Sequence, residues 1–210
     1  MTRHTRTVRP PLGLVGVCIV AAASLLACAS APAPPIAGVA GCPTAQPDPL
    51  PAGETRVVTI TTDLGAIELE VQSGLSPIAT GNFVALAECG YYDGVGFHRV
   101  VPGFVIQAGD RTGTGGGGPG YTIEDEPVAN QYRRGTVAMA RTPQPNSAGS
   151  QFFIVLDDLA RGSLQTANTY QIIGTVTSGM ETVDAIAAAA DAERPSDPVV
   201  MTDVSVSDAQ

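Results

Sequence analysis

Phe97-His98-Arg99-Val100-Val101-Pro102-Gly103-Phe104-Val105-Ile106-Gln107-Ala108-Gly109-Asp110 sets an arginine and a glutamine among residues that otherwise favour burial. A second stretch repeats the mixture: Met139-Ala140-Arg141, then Pro145-Asn146-Ser147-Ala148-Gly149-Ser150-Gln151-Phe152-Phe153-Ile154. Within and around them, Phe104–Ala108, Thr136–Ala140, Gln151–Leu156, Tyr170–Val176 and Val199–Val206 read as short strands. Further towards the N-terminus, Arg56 to Thr62 is β-branched and Asp63-Leu64-Gly65 is a turn signal. Ile67, Leu69 and Val71 then alternate with Glu68 and Glu70, which is a hairpin pattern. Ser76-Pro77 places a cap residue before a proline suited to a first helical turn. Ile78, Phe83, Leu86 and Ala87 share one helical face, and Gly90 supplies the stop. A second helix fits Met180 to Ala189, where Met180, Val183, Ile186 and Ala187 share a face. Many short strands with two helices predict a mainly β fold, a closed antiparallel barrel with helices over its ends.

Composition narrows the chemistry. All 11 basic residues among the 210 are arginine, there is no tryptophan, and only His4 and His98 are histidine. Without lysine there is no Schiff base and no phosphate-loop lysine. Two histidines cannot make a multi-histidine zinc site. A net charge of −9 gives no electrostatic footprint for nucleic acid.

The first 27 residues read as an address. Arg3, Arg6 and Arg9 form a basic start, and Leu12 to Ala27 is an apolar run of 16 residues. A membrane span needs about 18 or more, so the run suits a signal peptide. Leu25-Leu26-Ala27-Cys28 resembles the bacterial lipobox, in which the cysteine is lipidated and becomes the mature N-terminus. Secretion after a small-x-small site and an uncleaved anchor are the other readings; all three place the remainder outside the cytoplasm. The mature chain would hold 8 arginines against 20 acidic residues, a net −12. Residues 28–54 are rich in proline and alanine and read as a semi-extended tether. Residues 55–208 then form one domain with a single core. Cys42 and Cys89 remain as a pair that an oxidising compartment would join, or as two unrelated thiols.

The two quoted stretches closely resemble the two signatures of the cyclophilin family of peptidyl-prolyl isomerases. Gly113-Thr114-Gly115-Gly116-Gly117-Gly118-Pro119-Gly120-Tyr121 is similar to that family's glycine-rich loop. Phe83-Val84-Ala85-Leu86-Ala87 and Tyr92-Asp93-Gly94 match its first helix and exit. The resemblance spans about 150 residues in order. It implies a closed eight-stranded antiparallel barrel capped by two α-helices, with no cofactor, no metal and no covalent intermediate. The implied partners are proline-containing polypeptides, with a membrane reached through lipid on Cys28 and no nucleic acid. Nothing in the sequence sets the oligomeric state.

The chemistry suits these residues. An X-Pro bond rotates over a barrier of about 18–20 kcal/mol, set by amide resonance. No proton need be removed, so histidine and lysine are dispensable. A fixed guanidinium that bonds the twisted amide lowers the barrier by transition-state binding. By the resemblance, Arg99 and Gln107 are catalytic. Phe104, Val105, Phe153 and Leu164 line the proline pocket, with Leu159 the alternative to Leu164. Ala140, Arg141 and Gln151 hold the extended peptide, and Gly115 flanks a neighbouring subsite. Phe152, on the other strand face from Phe153, is core.

Other readings are weaker. His98 alone suggests a base or ligand, yet it lacks a partner and is read as packing. The glycine run suggests a phosphate loop but lacks its lysine. Glu124-Asp125-Glu126 suggests a metal site but reads as a solvated acidic turn. Val105 replaces a common methionine, Ala108 a glycine and Ile173 an aromatic residue, and residues 157–169 diverge. The tryptophan that contacts cyclosporin in sensitive members has no counterpart, which implies weak inhibition. A peptide-binding module or holding chaperone on the same fold is the alternative to an enzyme.

Overall fold

The computed structural model describes residues 1–2 and 39–209; the signal segment, Cys28 and most of the proposed tether lie outside these. Strand β1 (Thr55–Thr62) and strand β2 (Gly65–Gln72) form the expected hairpin, closed at Thr62 and Gly65 over Asp63 and Leu64. Ile67, Leu69 and Val71 are buried, while Glu68 and Glu70 lie on the other side. Helix α1 (Pro77–Glu88) starts at the proline and ends before Gly90, whose φ of +73° is the left-handed exit that glycine adopts without strain. The Ser76 hydroxyl makes no cap bond. The Glu126 carboxylate, 48 residues away, instead accepts the Ile78 and Ala79 N–H groups, both at 2.9 Å. A carboxylate satisfies those donors and suits the positive helix end.

The remaining strands are β3 (Val95–Gly96), β4 (Arg99–Val101), β5 (Val105–Ala108), β6 (Thr136–Met139), β7 (Phe152–Val155), β8 (Ile172–Ser178) and β9 (Val200–Asp208). All pair antiparallel in one sheet, in the order β3-β9-β1-β2-β8-β6-β7-β5-β4. The sheet has nine strands and curls into a half-barrel, which corrects the expected closed eight-stranded barrel. The cause lies at the seam. β3 and β4 are consecutive in the chain, joined by Phe97 and His98, and form no ladder with each other. The Phe97 N–H bonds Val199 O and the Val100 N–H bonds Glu193 O, so segment 193–199 occupies the seam.

Helix α3 (Met180–Ala189) matches its expected span. A third helix, α2 (Arg161–Ala167), follows a 3-10 turn over Asp158–Ala160, so there are three α-helices among the described residues where two were expected. Residues 39–54 also depart from a bare tether. Leu50 is buried and its N–H bonds Pro77 O. Cys42 and Cys89 form a disulfide, with Cα atoms 5.2 Å apart. Within the proposed tether, Cys42 and Leu50 are therefore fastened to the body at the two ends of α1.

Alternation along the strands separates two apolar groups. Val100, Ile106, Ala108, Val137, Met139, Phe152 and Ile154 join the main core. There Phe152 meets Phe83 and Tyr92 edge-on, with centroids 5.1 and 5.6 Å apart. Val105, Ala138, Phe153 and Val155, from the alternate positions of β5, β6 and β7, join a smaller group on the opposite face.

Candidate active site

Strand register assembles the site. β4 sets Arg99 opposite Gln107 of β5, β5 sets Gln107 opposite Phe153 of β7, and β7 sets Phe153 opposite Ala138 of β6. Residues directly opposite in a ladder share a face. Arg99, Gln107, Phe153 and Ala138 thus form one row across four strands. One step along that face lie Val105 and Val155, themselves opposite each other. Phe104, at the turn before β5, and Leu164, from α2, pack into the same apolar group. Leu164 is buried, whereas Leu159 is 87% exposed, so Leu164 is the leucine that joins the group.

A polar network continues from the row. Gln107 Nε2 donates to Gln151 Oε1 at 2.9 Å, and Gln151 Nε2 donates to Gly117 O at 2.8 Å and Gly115 O at 3.1 Å. Gln151 therefore links the row to the glycine-rich loop. Buried Asp110 holds that loop from beneath, accepting the N–H groups of Thr112, Gly115 and Gly117. A Cβ at Gly117 would collide with Asp110 Oδ1, which explains the glycine there. Burial alone would raise the Asp110 carboxyl, but bonds from the Thr112 hydroxyl and the loop amides outweigh it and hold it below its ordinary value. Those amides serve an internal carboxylate, so the loop is not built as a phosphate cradle.

Gln107, Gly115, Ala140, Arg141 and Gln151 line one cleft of about 260 Å³. The Ala140 N–H is taken by Gln151 O, but the Ala140 C=O and Arg141 N–H have no partner among the described residues. That edge can pair with an extended peptide. The Arg141 side chain is only 8% exposed, contacts Asp125 Oδ1 at 2.8 Å and donates to Gln144 O at 2.7 Å. Asp125 also accepts the Asn146 N–H. The acidic turn is solvent-exposed at Glu124 and Asp125, as expected, and also serves as a scaffold: Asp125 anchors the cleft wall and Glu126 caps α1. At the far wall Tyr121 donates to Asn82 Oδ1, and burial pushes its hydroxyl pKa up to about 12.

At the other end of the row Arg99 is 32% exposed, and its Nε donates to Glu193 Oε1 at 2.8 Å. Its two terminal nitrogens have no hydrogen-bond partner among the described residues. His98 is buried beside the glycine-rich loop, where its Cδ2 would lie 3.8 Å from a Cβ on Gly115, and neither ring nitrogen meets a hydrogen-bond partner among the described residues. Burial lowers its pKa, Asp110 and the nearby Gln151 side chain oppose the shift, and Arg194 and Arg99 add to it.

Every site residue expected within the described segment thus falls in the apolar group, the cleft or the row joining them. Two neighbours were not foreseen. Tyr170 stands edge-on to Phe153, with centroids 5.4 Å apart, and walls the apolar group. Its aromatic type at a strand start reads equally as core. Glu193 lies in a segment, 190–199, whose sequence signals are charge and the turn formers Pro195, Ser196 and Pro198, none of which points to a site.

Residues 57–206 match the family model described as cyclophilin type peptidyl-prolyl cis-trans isomerase. A peptidyl-prolyl cis-trans isomerase of Helicobacter pylori is 39% identical over 137 residues, covering 63% of this chain and 81% of that protein. Peptidyl-prolyl cis-trans isomerase B of Bacillus subtilis is 44% identical over 121 residues, 57% of this chain and 81% of that protein. The peptidyl-prolyl isomerase CWC27 of Cryptococcus neoformans is 51% identical over 112 residues, 51% of this chain; the match spans only 23% of that longer protein. Among solved structures, a Cryptosporidium parvum cyclophilin type isomerase superposes with a TM-score of 0.66 at 33% identity, covering 74% of this chain and 99% of that one. The same protein in the presence of the dipeptide Ala-Pro superposes at 0.65.

Proposed function

This chain belongs to the cyclophilin-type peptidyl-prolyl cis-trans isomerase family, and we propose that it accelerates X-Pro rotation in exported or cell-envelope proteins while tethered to a membrane by lipid on Cys28. The observation that carries the catalytic reading is the row Arg99–Gln107–Phe153, which sets a guanidinium and an amide beside an apolar group on one sheet face. The proline ring packs against Phe104, Val105, Phe153 and Leu164. The peptide runs along Ala140 and Arg141, past Gly115 and Gln151. As the amide twists, the prolyl nitrogen regains its lone pair, and a terminal nitrogen of Arg99 donates to it. Gln107 orients the adjacent carbonyl. These bonds strengthen only as resonance is lost, so they favour the transition state over either ground state. No covalent bond forms and no proton is transferred.

Two observations support export. The basic start and apolar run end at a lipobox-like Cys28. The Cys42–Cys89 disulfide belongs to an oxidising compartment. The activity is tested by exchange of a short Ala-Pro peptide followed by NMR. We expect Arg99→Ala to slow it about 100-fold or more, the scale of losing one transition-state donor. Equal rates for wild type and Arg99→Ala would leave a peptide-binding module or holding chaperone in its place. The anchor is tested by the mass of the mature N-terminus, where a diacylated Cys28 is expected and an unmodified one excludes it.

A further inference from the structure

The stretch after α3, residues 190–199, belongs to neither family signature, yet it touches both ends of the site. Its own geometry is fixed. The Asp191 carboxylate accepts the Ser196 N–H at 3.0 Å and its hydroxyl at 2.6 Å, closing a turn. Glu193 O accepts the Val100 N–H at 2.8 Å, which pins the segment to β4 next to Arg99. Arg194 Nη1 donates to Thr114 O at 2.7 Å, which pins it to the glycine-rich loop. Between those anchors the Glu193 side chain reaches Arg99 Nε at 2.8 Å.

Glu193 is 61% exposed and Arg99 32% exposed, so the pair contributes little to folding. What it supplies is orientation. Arginine has a long side chain with much rotamer freedom, and its planar fork is useful only when aimed. A carboxylate on Nε fixes the plane of the guanidinium and leaves both terminal nitrogens for the substrate. We propose that Glu193 is the positioning residue for Arg99, held in place by the 190–199 turn and acting on the rate through that arginine alone. The proposal rests on Arg99 being the catalytic group and deepens that reading.

The test is a double-mutant cycle on the intact chain, using the Ala-Pro peptide exchange and enough enzyme to measure the weakest variant. Glu193→Ala is expected to lower kcat about 5- to 20-fold with KM unchanged, within the coupling that contacting residues show. Glu193→Gln keeps an oxygen acceptor for Nε and is expected to lose about 2-fold, a partial rescue within the same range. In an Arg99→Ala background, Glu193→Ala is expected to have no further effect. Thermal unfolding of the Glu193 variants should match wild type, because the backbone bond to Val100 is retained. If Glu193→Ala lowers activity equally with and without Arg99, or acts through KM, or leaves kcat unchanged or raised, Glu193 does not position Arg99. If Arg99→Ala itself retains full activity, the catalytic reading fails and this proposal falls with it; the two failures are told apart by that single variant.

Discussion

Strands β5 and β7 carry two different surfaces on the same backbone. Ile106, Ala108, Phe152 and Ile154 face the main core, where Phe152 sits among Phe83 and Tyr92. Val105, Gln107, Phe153 and Val155 face the other way, towards Arg99, Leu164 and the cleft. One residue of register separates a side chain that holds the molecule together from one on the face proposed to meet a peptide. The inner face gives the row a packed footing, which the proposed donor to a twisted amide requires.

The largest effect should break this division at its sharpest point. Phe152→Ala removes a fully buried ring and is expected to cost about 3–5 kcal/mol of unfolding free energy. Phe153→Ala, one residue on, should cost less stability and raise KM for a proline peptide several-fold, because Phe153 lies in the row beside Gln107 and packs on Tyr170 in the smaller apolar group. Chemical denaturation and peptide exchange on both variants decide it. Similar losses of stability with unchanged KM would erase the distinction.

Cys42 and Cys89 probe the same division from the N-terminal side. Their bridge ties residues 39–54 to the end of α1, on the core side of the molecule. Replacing both by serine is expected to lower stability by about 2–4 kcal/mol. Peptide exchange measured well below the lowered melting temperature should stay within about 2-fold of wild type, as expected of sites that share no partner. A large loss of activity in the folded variant would mean that the outer face depends on the bridge.

The two faces were not equally legible in the sequence. Alternation placed Phe152 and Phe153 on opposite sides, and Ser76-Pro77 with Gly90 bounded α1, because these signals are local. The family resemblance named Arg99, Gln107 and their neighbours, and register brings them together. What escaped was non-local or weakly patterned. Glu126 caps a helix 48 residues before it, and Asp125 meets Arg141 across a loop. Helix α2 reads RGSLQTA, with Leu164 its only large apolar residue, so it shows no stripe. The open seam depends on where segment 193–199 bonds, which no strand pattern states. Two cysteines were visible, but proximity between one in a proline-rich stretch and one at a helix end was not.

The smallest expected effect lies at the seam where the faces meet. His98 follows core residue Phe97, precedes Arg99, and is buried with both ring nitrogens unpartnered. Burial lowers its folded pKa; Asp110 and the nearby Gln151 side chain pull the other way, while Arg194 and Arg99 reinforce the shift. In the unfolded chain the imidazole titrates near its ordinary value of about 6.5. Between the two values the unfolded state binds more protons, so stability is fully present above about pH 6.5 and falls as pH drops towards the folded value. Asp110 has the same sign in a separate window. Its carboxyl is also depressed, so its contribution persists until pH falls below the ordinary carboxylate range of about 3.9. Denaturation at stepped pH should therefore show a shallow decline below about pH 6.5 and a steeper one below about pH 4. His98→Gln should flatten only the first. A wild-type profile level from pH 7.5 to 5 would mean that protonation of His98 meets no penalty, and that the seam admits charge as readily as the outer face does.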